Sequence, residues 1–172
     1  MFYIIGLGNP GAEYKESRHN TGKMAVEYFK TRNPKSEIRN LRIIESNEFM
    51  NNSGRAVAKF IKNKKAAQNL IVVYDDIDLA LGTIKISWNK SSGGHKGLES
   101  VIKAAKTKEF IRVRIGISPK SKPQGDKKVL DFILGKFTPK EKEVLKKSIK
   151  KAAEAIQTII EEGRGRAMNR FN

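Results

Sequence analysis

The sequence predicts an α/β fold, because short runs rich in β-branched residues alternate along the chain with segments of helical periodicity. Two of these runs are apolar almost throughout, which is typical of central strands covered on both faces of a sheet. The 172 residues contain no internal repeat, no low-complexity linker and no change of composition. We therefore expect a single domain over residues 1–172, large enough to bury a hydrophobic core.

The predicted strands, in chain order, are Phe2–Leu7, Leu41–Glu45, Leu70–Tyr74, Thr83–Ser87 and Ile111–Ile117. The first and third are the apolar runs and should lie at the centre of the sheet. In the fourth, Lys85 and Ser87 alternate with apolar residues, so one face should be exposed to water. In the fifth, Arg112 and Arg114 share one side and should add positive charge there.

Apolar residues at helical spacing predict helices over about Gly22–Thr31, Ser53–Asn63, Lys96–Ala105 and Pro139–Glu162. The last has the clearest boundary, because Thr138 can act as N-cap, Pro139 suits the first helical position and Glu141 completes a capping box. Its buried stripe is predicted to comprise Leu145, Ile149, Ala152, Ile156 and Ile159. The basic tail from about residue 164 is a candidate for disorder.

The chain carries a formal net charge of +17, from 35 basic and 18 acidic residues. A charge of this size attracts polyanions, and nucleic acid is the leading partner class. Anionic membrane surfaces are a weaker alternative, and no apolar run approaches the roughly 20 residues that cross a bilayer. Lysines crowd the first half of the last predicted helix, as either a solvated face or a surface for RNA. Recruitment to ribosomes is a further use of this charge that the sequence leaves open.

The chain has no cysteine, which excludes disulfides, thiolate catalysis and cysteine-ligated metal sites. Hydrophobic residues make up 38% of it, a share that fits neither a membrane-spanning nor a plainly disordered protein. A cytoplasmic location is therefore expected.

His19 and Asp75 form the candidate catalytic pair. Asp75 follows the most apolar predicted strand, and His19 lies in the segment that follows the first strand. Loops from neighbouring strand ends converge on one crevice in open α/β sheets, so the two side chains should meet. A carboxylate bonded to one imidazole nitrogen fixes the tautomer, and the other nitrogen can then deprotonate water.

Other chemistries have weaker support in the sequence. The glycine-rich segment Gly6–Gly11 lacks the spacing of a dinucleotide-binding loop, and no phosphate-binding Gly-Lys-Ser/Thr motif occurs. The aspartates at 75, 76 and 78 leave a magnesium site as a minor alternative to a simple turn. No nucleophile elbow of the Gly-x-Ser-x-Gly type is present, and Ser53 is better interpreted as an N-cap. Direct attack by water is therefore preferred to an acyl-enzyme.

Several further segments are candidates for substrate contact. Asn9 should point into the crevice from the glycine-rich loop. Met50 and Asn51 precede a predicted helix and offer an apolar wall and a polar amide. The loop Ser91–Leu98 enters another helix and suits an anion or a phosphate-bearing strand. The alternative is a long connection between a strand and a helix, with His95 capping locally.

The motifs that combine these features are Gly6–Gly11, Tyr14, Arg18–Asn20, Gly22, Phe49–Asn51, Ser53–Gly54, Asp75–Leu79, Gly82, Gly93–His95, Gly97–Leu98, Arg112–Ile117, Val129–Gly135 and Ala167–Arg170. Together they resemble the bacterial-type peptidyl-tRNA hydrolase family. The resemblance covers nearly the whole chain in order, and the combination is far more specific than any single motif.

The resemblance implies a monomeric three-layer α/β/α fold with a mixed twisted sheet between helices, and no metal or organic cofactor. It also implies hydrolysis of the ester that joins a peptide to the 3′-terminal ribose of tRNA, so that peptidyl-tRNA is the partner. In this scheme His19 activates water and Asp75 orients His19.

The resemblance implies roles for the remaining site residues as well. Asn9 joins the catalytic group. The implied substrate-binding residues are Tyr14, Met50, Asn51, His95 and Lys96. Lys85 and Arg114 match positions that hold the tRNA 5′-phosphate.

The chain departs from the family pattern at two places. Lys96 stands where the family has an asparagine that positions substrate or water, and lysine cannot accept a hydrogen bond as that amide can. The stretch between Phe29 and Leu41 is also much shorter than in typical members, which have an extra strand pair there. These departures leave an alternative open, a catalytically impaired RNA-binding protein on the same scaffold. A small-molecule esterase or peptidase is a second alternative, disfavoured by the charge of +17.

Overall fold

A computed structural model describes residues 1–33, 40–119 and 121–172. The strands are β1 (Phe2–Gly6), β2 (Leu41–Ile43), β3 (Leu70–Ala80), β4 (Ile84–Trp88) and β5 (Ile111–Ser118). The helices are α1 (Thr21–Arg32), α2 (Gly54–Ala58), α3 (Lys64–Gln68), α4 (Lys96–Ala105), α5 (Asp126–Leu134), α6 (Pro139–Glu162) and α7 (Arg164–Phe171). Short 3₁₀ turns occupy Ala12–Tyr14, Arg18–Asn20 and Met50–Asn52.

Five strands in the described part of the chain form one mixed sheet in the order β2-β1-β3-β5-β4. The first four in this order are parallel, and β4 runs antiparallel to β5. The predicted α/β class and mixed sheet are thus confirmed. No helix in these ranges has the length and apolar character needed to span a membrane.

Each face of the sheet is covered by its own hydrophobic cluster. On one face, α1, α6 and α7 pack on buried residues such as Ile71, Val113 and Ile115. On the other, α2, α4 and the Met50 turn pack on Leu70, Val72 and neighbouring residues. The two-sided cover explains why β3 is apolar through its first half.

The candidate catalytic residues lie near the carboxyl ends of β1 and β3, His19 in the segment after β1 and Asp75 on β3. Gly22 lets the start of α1 approach these ends, because a Cβ there would lie 2.2 Å from the carbonyl oxygen of Val73. The turn Arg18–Asn20 immediately precedes α1 and is thereby held beside β3. This close approach brings His19 to the sheet.

Most predicted boundaries agree with the structure to within two residues, and those of α4 and α6 agree fully. The capping box at Thr138 and Glu141 is present. The predicted third strand is longer, since β3 continues to Ala80. The exposed face expected for β4 is only partly present, because Lys85 is exposed but Ser87 is buried.

The predicted helix Ser53–Asn63 is wrong in its length. The segment forms only α2, which ends at Ala58, and a separate helix, α3, begins after it at Lys64. Asn63 is the N-cap of α3, because its side chain accepts a hydrogen bond from the backbone N–H of Ala66 at 2.9 Å. Ser53 lies at the N-cap position of α2, but its hydroxyl donates to the carbonyl of Met50 instead of capping the helix.

The tail expected to be disordered is helix α7. Ala167 and Phe171 are buried in the core, and the guanidinium of Arg164 lies 3.8 Å from the ring centre of Trp88. Within the shortened stretch between Phe29 and Leu41, residues 34–39 lie outside the described residues, so the expectation of a missing strand pair stays untested.

Candidate active site

The loop after β1 is fixed by a pair of asparagines. The backbone N–H of Asn9 donates to Oδ1 of Asn20 at 2.8 Å, and Nδ2 of Asn20 donates to the carbonyl of Asn9 at 2.9 Å. Oδ1 of Asn9 accepts a hydrogen bond from the backbone N–H of Met50 at 2.8 Å. Because its oxygen is engaged in this way, the side chain of Asn9 has its Nδ2 donor left to offer to a bound molecule.

His19 and Asp75 meet as predicted. Nδ1 of His19 lies 2.9 and 3.0 Å from the two carboxylate oxygens of Asp75, and both residues are buried. An ionised carboxylate can only accept, so Nδ1 carries the proton and Nε2 of a neutral His19 keeps its lone pair. This is the arrangement that a general base requires.

The protonation of Asp75 is set by opposing effects. Burial alone would raise its pKa, because a carboxylate loses hydration inside the protein. The N–H groups that His19 and His95 direct at the carboxylate outweigh burial, through electrostatic attraction and hydrogen bonding, and hold the pKa of Asp75 well below its usual range. Asp75 is therefore a carboxylate at neutral pH, able to stabilise an imidazolium.

His95 also contacts Asp75. Its Nε2 lies 3.1 Å from Oδ1 of Asp75, and its Nδ1 accepts the backbone N–H of Leu98 at 3.2 Å. The second contact confirms the predicted local capping role, since His95 is the N-cap of α4. The ring of Tyr74 packs edge-on against His95, with 5.0 Å between ring centres. Burial raises the pKa of Tyr74 to about 12, so its hydroxyl stays protonated.

The cluster His19, Asp75 and His95 is also the one set of three potential metal ligands found in the described ranges. Both imidazoles direct an N–H at the carboxylate, which leaves no lone pair facing a common centre. The neighbouring aspartates have basic partners of their own, Arg114 for Asp76 and Lys122 for Asp78. The donor set therefore favours a hydrogen-bonded triad over a cation site.

Of the predicted substrate-binding residues, His95 and Lys96 line the cavity that contains His19 and Asp75. Tyr14 is half-buried, and its ring packs edge-on against the exposed ring of Phe49, with 6.4 Å between the ring centres. Met50 is buried, whereas Asn51 is exposed on the same 3₁₀ turn. Lys96 is exposed at the start of α4, and its ammonium donates to Glu99 at 3.2 Å.

The predicted phosphate-binding residues are neighbours. Lys85 on β4 is paired in register with Arg114 on β5, and Lys85 is exposed. Nε of Arg114 lies 2.7 Å from Oδ2 of Asp76, which orients the guanidinium without covering it. Arg112 does not add charge to this face, contrary to expectation, because it is fully buried and donates to the backbone carbonyls of Lys90 and Lys108.

Two hollows adjoin the loop between β1 and α1. A cavity of about 500 Å³ is lined by His19, Asp75, His95, Lys96 and Arg114, among others, and contains the reactive groups. A larger hollow of about 1100 Å³ lies against α1 and α6 and shares none of these five residues. The smaller cavity holds the candidate base and a guanidinium, whereas Asn9 lines the larger hollow.

The sequence comparisons agree with this geometry. The family model described as Peptidyl-tRNA hydrolase matches residues 3–172. The chain belongs to the peptidyl-tRNA hydrolase family. A curated Peptidyl-tRNA hydrolase from Thermodesulfovibrio yellowstonii is 40% identical over 189 residues, covering 100% of this chain and 99% of the relative. The corresponding protein from Pseudothermotoga lettingae is 39% identical, with 100% and 97% covered.

Solved structures of the same family share the fold. The crystal structure of peptidyl-tRNA hydrolase from Acinetobacter baumannii superposes with a TM-score of 0.87 at 27% identity, covering 100% of this chain and 94% of that one. The predicted peptidyl-tRNA hydrolase-like architecture is thereby confirmed.

Sequence reasoning about this peptidyl-tRNA hydrolase family member missed two contacts. Asn20 was part of a recognised motif but received no role, although it clamps the backbone of Asn9. The bond from His95 to Asp75 was not foreseen either. No simple sequence signal pointed to the second contact, because β4 is antiparallel and the loop that carries His95 leaves it at the opposite edge of the sheet from Asp75.

Proposed function

We propose that this chain hydrolyses the ester bond between a peptide, or an N-blocked aminoacyl group, and the 3′-terminal ribose of tRNA, so that the tRNA can be reused. The observation that carries the proposal is the contact between His19 and Asp75. Nδ1 of His19 lies 2.9 Å from Oδ2 of Asp75, which leaves Nε2 of His19 to act as the base. Membership of the family supports the same reaction.

The proposed reaction uses water directly. Nε2 of His19 takes a proton from water while the water oxygen attacks the ester carbonyl carbon, and Asp75 stabilises the resulting imidazolium. The tetrahedral intermediate then expels the ribose oxygen, which recovers its proton from His19. We assign to the Nδ2 donor of Asn9, whose Oδ1 is engaged by Met50, the stabilisation of the negative charge that develops on the carbonyl oxygen.

The surrounding residues recognise the two halves of the substrate. We assign Tyr14, Met50 and Asn51 to the peptide and terminal nucleotide. Met50 donates to Asn9, Asn51 follows it on the same turn, and Tyr14 packs against the preceding Phe49. Lys85 and Arg114 are assigned to the tRNA 5′-phosphate, because two adjacent cations on the sheet suit a terminal phosphate. The tRNA substrate implies activity in the cytoplasm, and all proposed site residues lie on one chain, which fits a monomer.

RNA binding without hydrolysis is the second candidate, because Lys96 replaces the amide expected at its position. The test is release of a labelled N-acetylaminoacyl group from tRNA by the wild-type protein in EDTA, with tRNA binding measured in parallel. Release that survives the chelator supports the hydrolase. Binding of tRNA with no release would instead support the non-catalytic candidate.

A further inference from the structure

Asp75 is shared by two imidazoles. Nδ1 of His19 lies within 3.0 Å of both carboxylate oxygens, and Nε2 of His95 lies 3.1 Å from Oδ1. We propose that His95 is a positioning residue for the hydrolysis: it holds the Asp75 carboxylate against His19 and stays neutral while His19 takes up the proton. This proposal rests on the function proposed above.

The backbone of α4 selects the tautomer of His95. The N–H of Leu98 points at Nδ1 from 3.2 Å, so Nδ1 must present a lone pair. A neutral imidazole has a single N–H, which then belongs to Nε2 and donates to Asp75. Protonation of Nδ1 would set two N–H groups against each other, so the helix cap opposes the cationic form. With both nitrogens engaged, His95 cannot act as a second base.

The ring of His95 is held by packing as well as by hydrogen bonds. Its side chain is 10% exposed, and the rings of His19 and Tyr74 lie 4.8 and 5.0 Å from it. Gly97 allows this packing, because a Cβ there would lie 3.2 Å from Cε1 of His95 and 2.3 Å from Sδ of Met50. A ring fixed on these sides can define the position of the carboxylate it contacts.

The consequence for catalysis follows from the geometry at Asp75. The bond from His95 restrains rotation of the carboxylate, so that both oxygens remain directed at Nδ1 of His19. A second donor also stabilises the ionised form of Asp75. The proton gained from water therefore stays on His19, from which it can pass to the leaving ribose oxygen.

Two substitutions separate the role at Asp75 from the role as helix cap. His95→Asn keeps a good N-cap but is too short to reach Asp75. His95→Gln can reach the carboxylate with its amide N–H. Loss of a hydrogen bond to a charged group predicts that His95→Asn lowers kcat about 10- to 100-fold. We expect KM for N-acetylaminoacyl-tRNA to be nearly unchanged, and His95→Gln to recover much of kcat.

Nitrogen NMR of the wild-type protein labelled on histidine tests the same proposal without activity. We expect His95 at pH 7 as the neutral tautomer protonated at Nε2. A proton on Nδ1 of His95, or wild-type kcat in a folded His95→Asn variant, would overturn the proposal. A wild-type protein without hydrolase activity would overturn the proposed function and the catalytic role together, while NMR would still decide whether His95 holds Asp75.

Discussion

At the scale of single residues, the carboxylate of Asp75 is the group whose charge depends most on its surroundings. It is 3% exposed, and burial opposes its ionisation, but the two imidazoles lower its pKa on balance. In the unfolded chain an aspartate titrates near its ordinary pKa of about 3.9. The folded state therefore binds this proton only at a lower pH than the unfolded state does.

This difference predicts a pH-dependent contribution to stability. The stabilisation from Asp75 should be fully present above about pH 4 and should be lost as the pH falls toward its lowered native pKa. We expect Asp75→Asn to flatten the dependence of the free energy of unfolding on pH below about pH 4, measured by urea denaturation. Asp78→Asn, at an exposed carboxylate, is the control. If the free energy of unfolding changed equally steeply with pH in Asp75→Asn and wild type, the prediction would be contradicted.

The sequence was sufficient to predict the pair of His19 and Asp75, because strand order places both residues at the same edge of the sheet. It was not sufficient for His95. Its approach to Asp75 depends on the loop before α4, where Gly93 and Gly94 adopt positive φ values of 60° and 83°. Glycine permits such values without enforcing them, so the path of this loop follows from packing that a local pattern does not encode.

At the scale of elements, α7 completes the cluster on the face covered by α1 and α6. Phe171 is 6% exposed within that cluster. The side chain of Asn172 also accepts from the backbone N–H of Ile86 at 2.6 Å and donates to its carbonyl at 3.0 Å. The segment therefore covers both apolar surface and backbone groups of β4.

We expect Phe171→Ala to destabilise the protein by about 3–5 kcal/mol, through lost burial and the cavity left behind. Asn169→Ala, at an exposed position of the same helix, should change stability by no more than about 0.5 kcal/mol. Urea denaturation of the two variants beside wild type makes the comparison. Similar stability of both variants would show that α7 contributes little to the core.

Elements with strong local signals were predicted well, and elements that depend on packing were not. The ends of α6 follow from Thr138, Glu141 and Gly163, which act within one turn. Helix α5 was not predicted, although five of its nine residues are apolar, and none of its residues is fully buried. Helix α7 has few apolar residues, and its order depends on contacts with distant strands.

At the scale of the whole molecule, the charge of +17 supplies long-range attraction to RNA, while individual cations determine where the RNA is held. Two lysines of α6 form ion pairs with acidic neighbours, Lys142 with Glu16 and Lys146 with Glu143. Lys85 is exposed and is paired in register with Arg114, which lines the active-site cavity.

Lys85→Ala should weaken tRNA binding and reduce the slope of log K against log salt by about 0.7–0.9, the effect of one phosphate contact. Lys65→Ala removes the same charge from α3, the helix that directly precedes β3. This substitution should leave the slope nearly unchanged. Fluorescence titrations of 5′-phosphorylated tRNA at several salt concentrations measure both. A wild-type slope for Lys85→Ala would exclude this contact.

The central claim is that His19 activates water for ester hydrolysis, and a single-turnover measurement tests it most directly. Wild type and His19→Ala, each in excess over labelled N-acetylaminoacyl-tRNA and in EDTA, should differ in the rate of release by about 10²–10⁴-fold, the usual contribution of a general base. We expect the two proteins to bind tRNA with similar affinity and to unfold at similar urea concentrations. Release by His19→Ala at nearly the wild-type rate would contradict the mechanism.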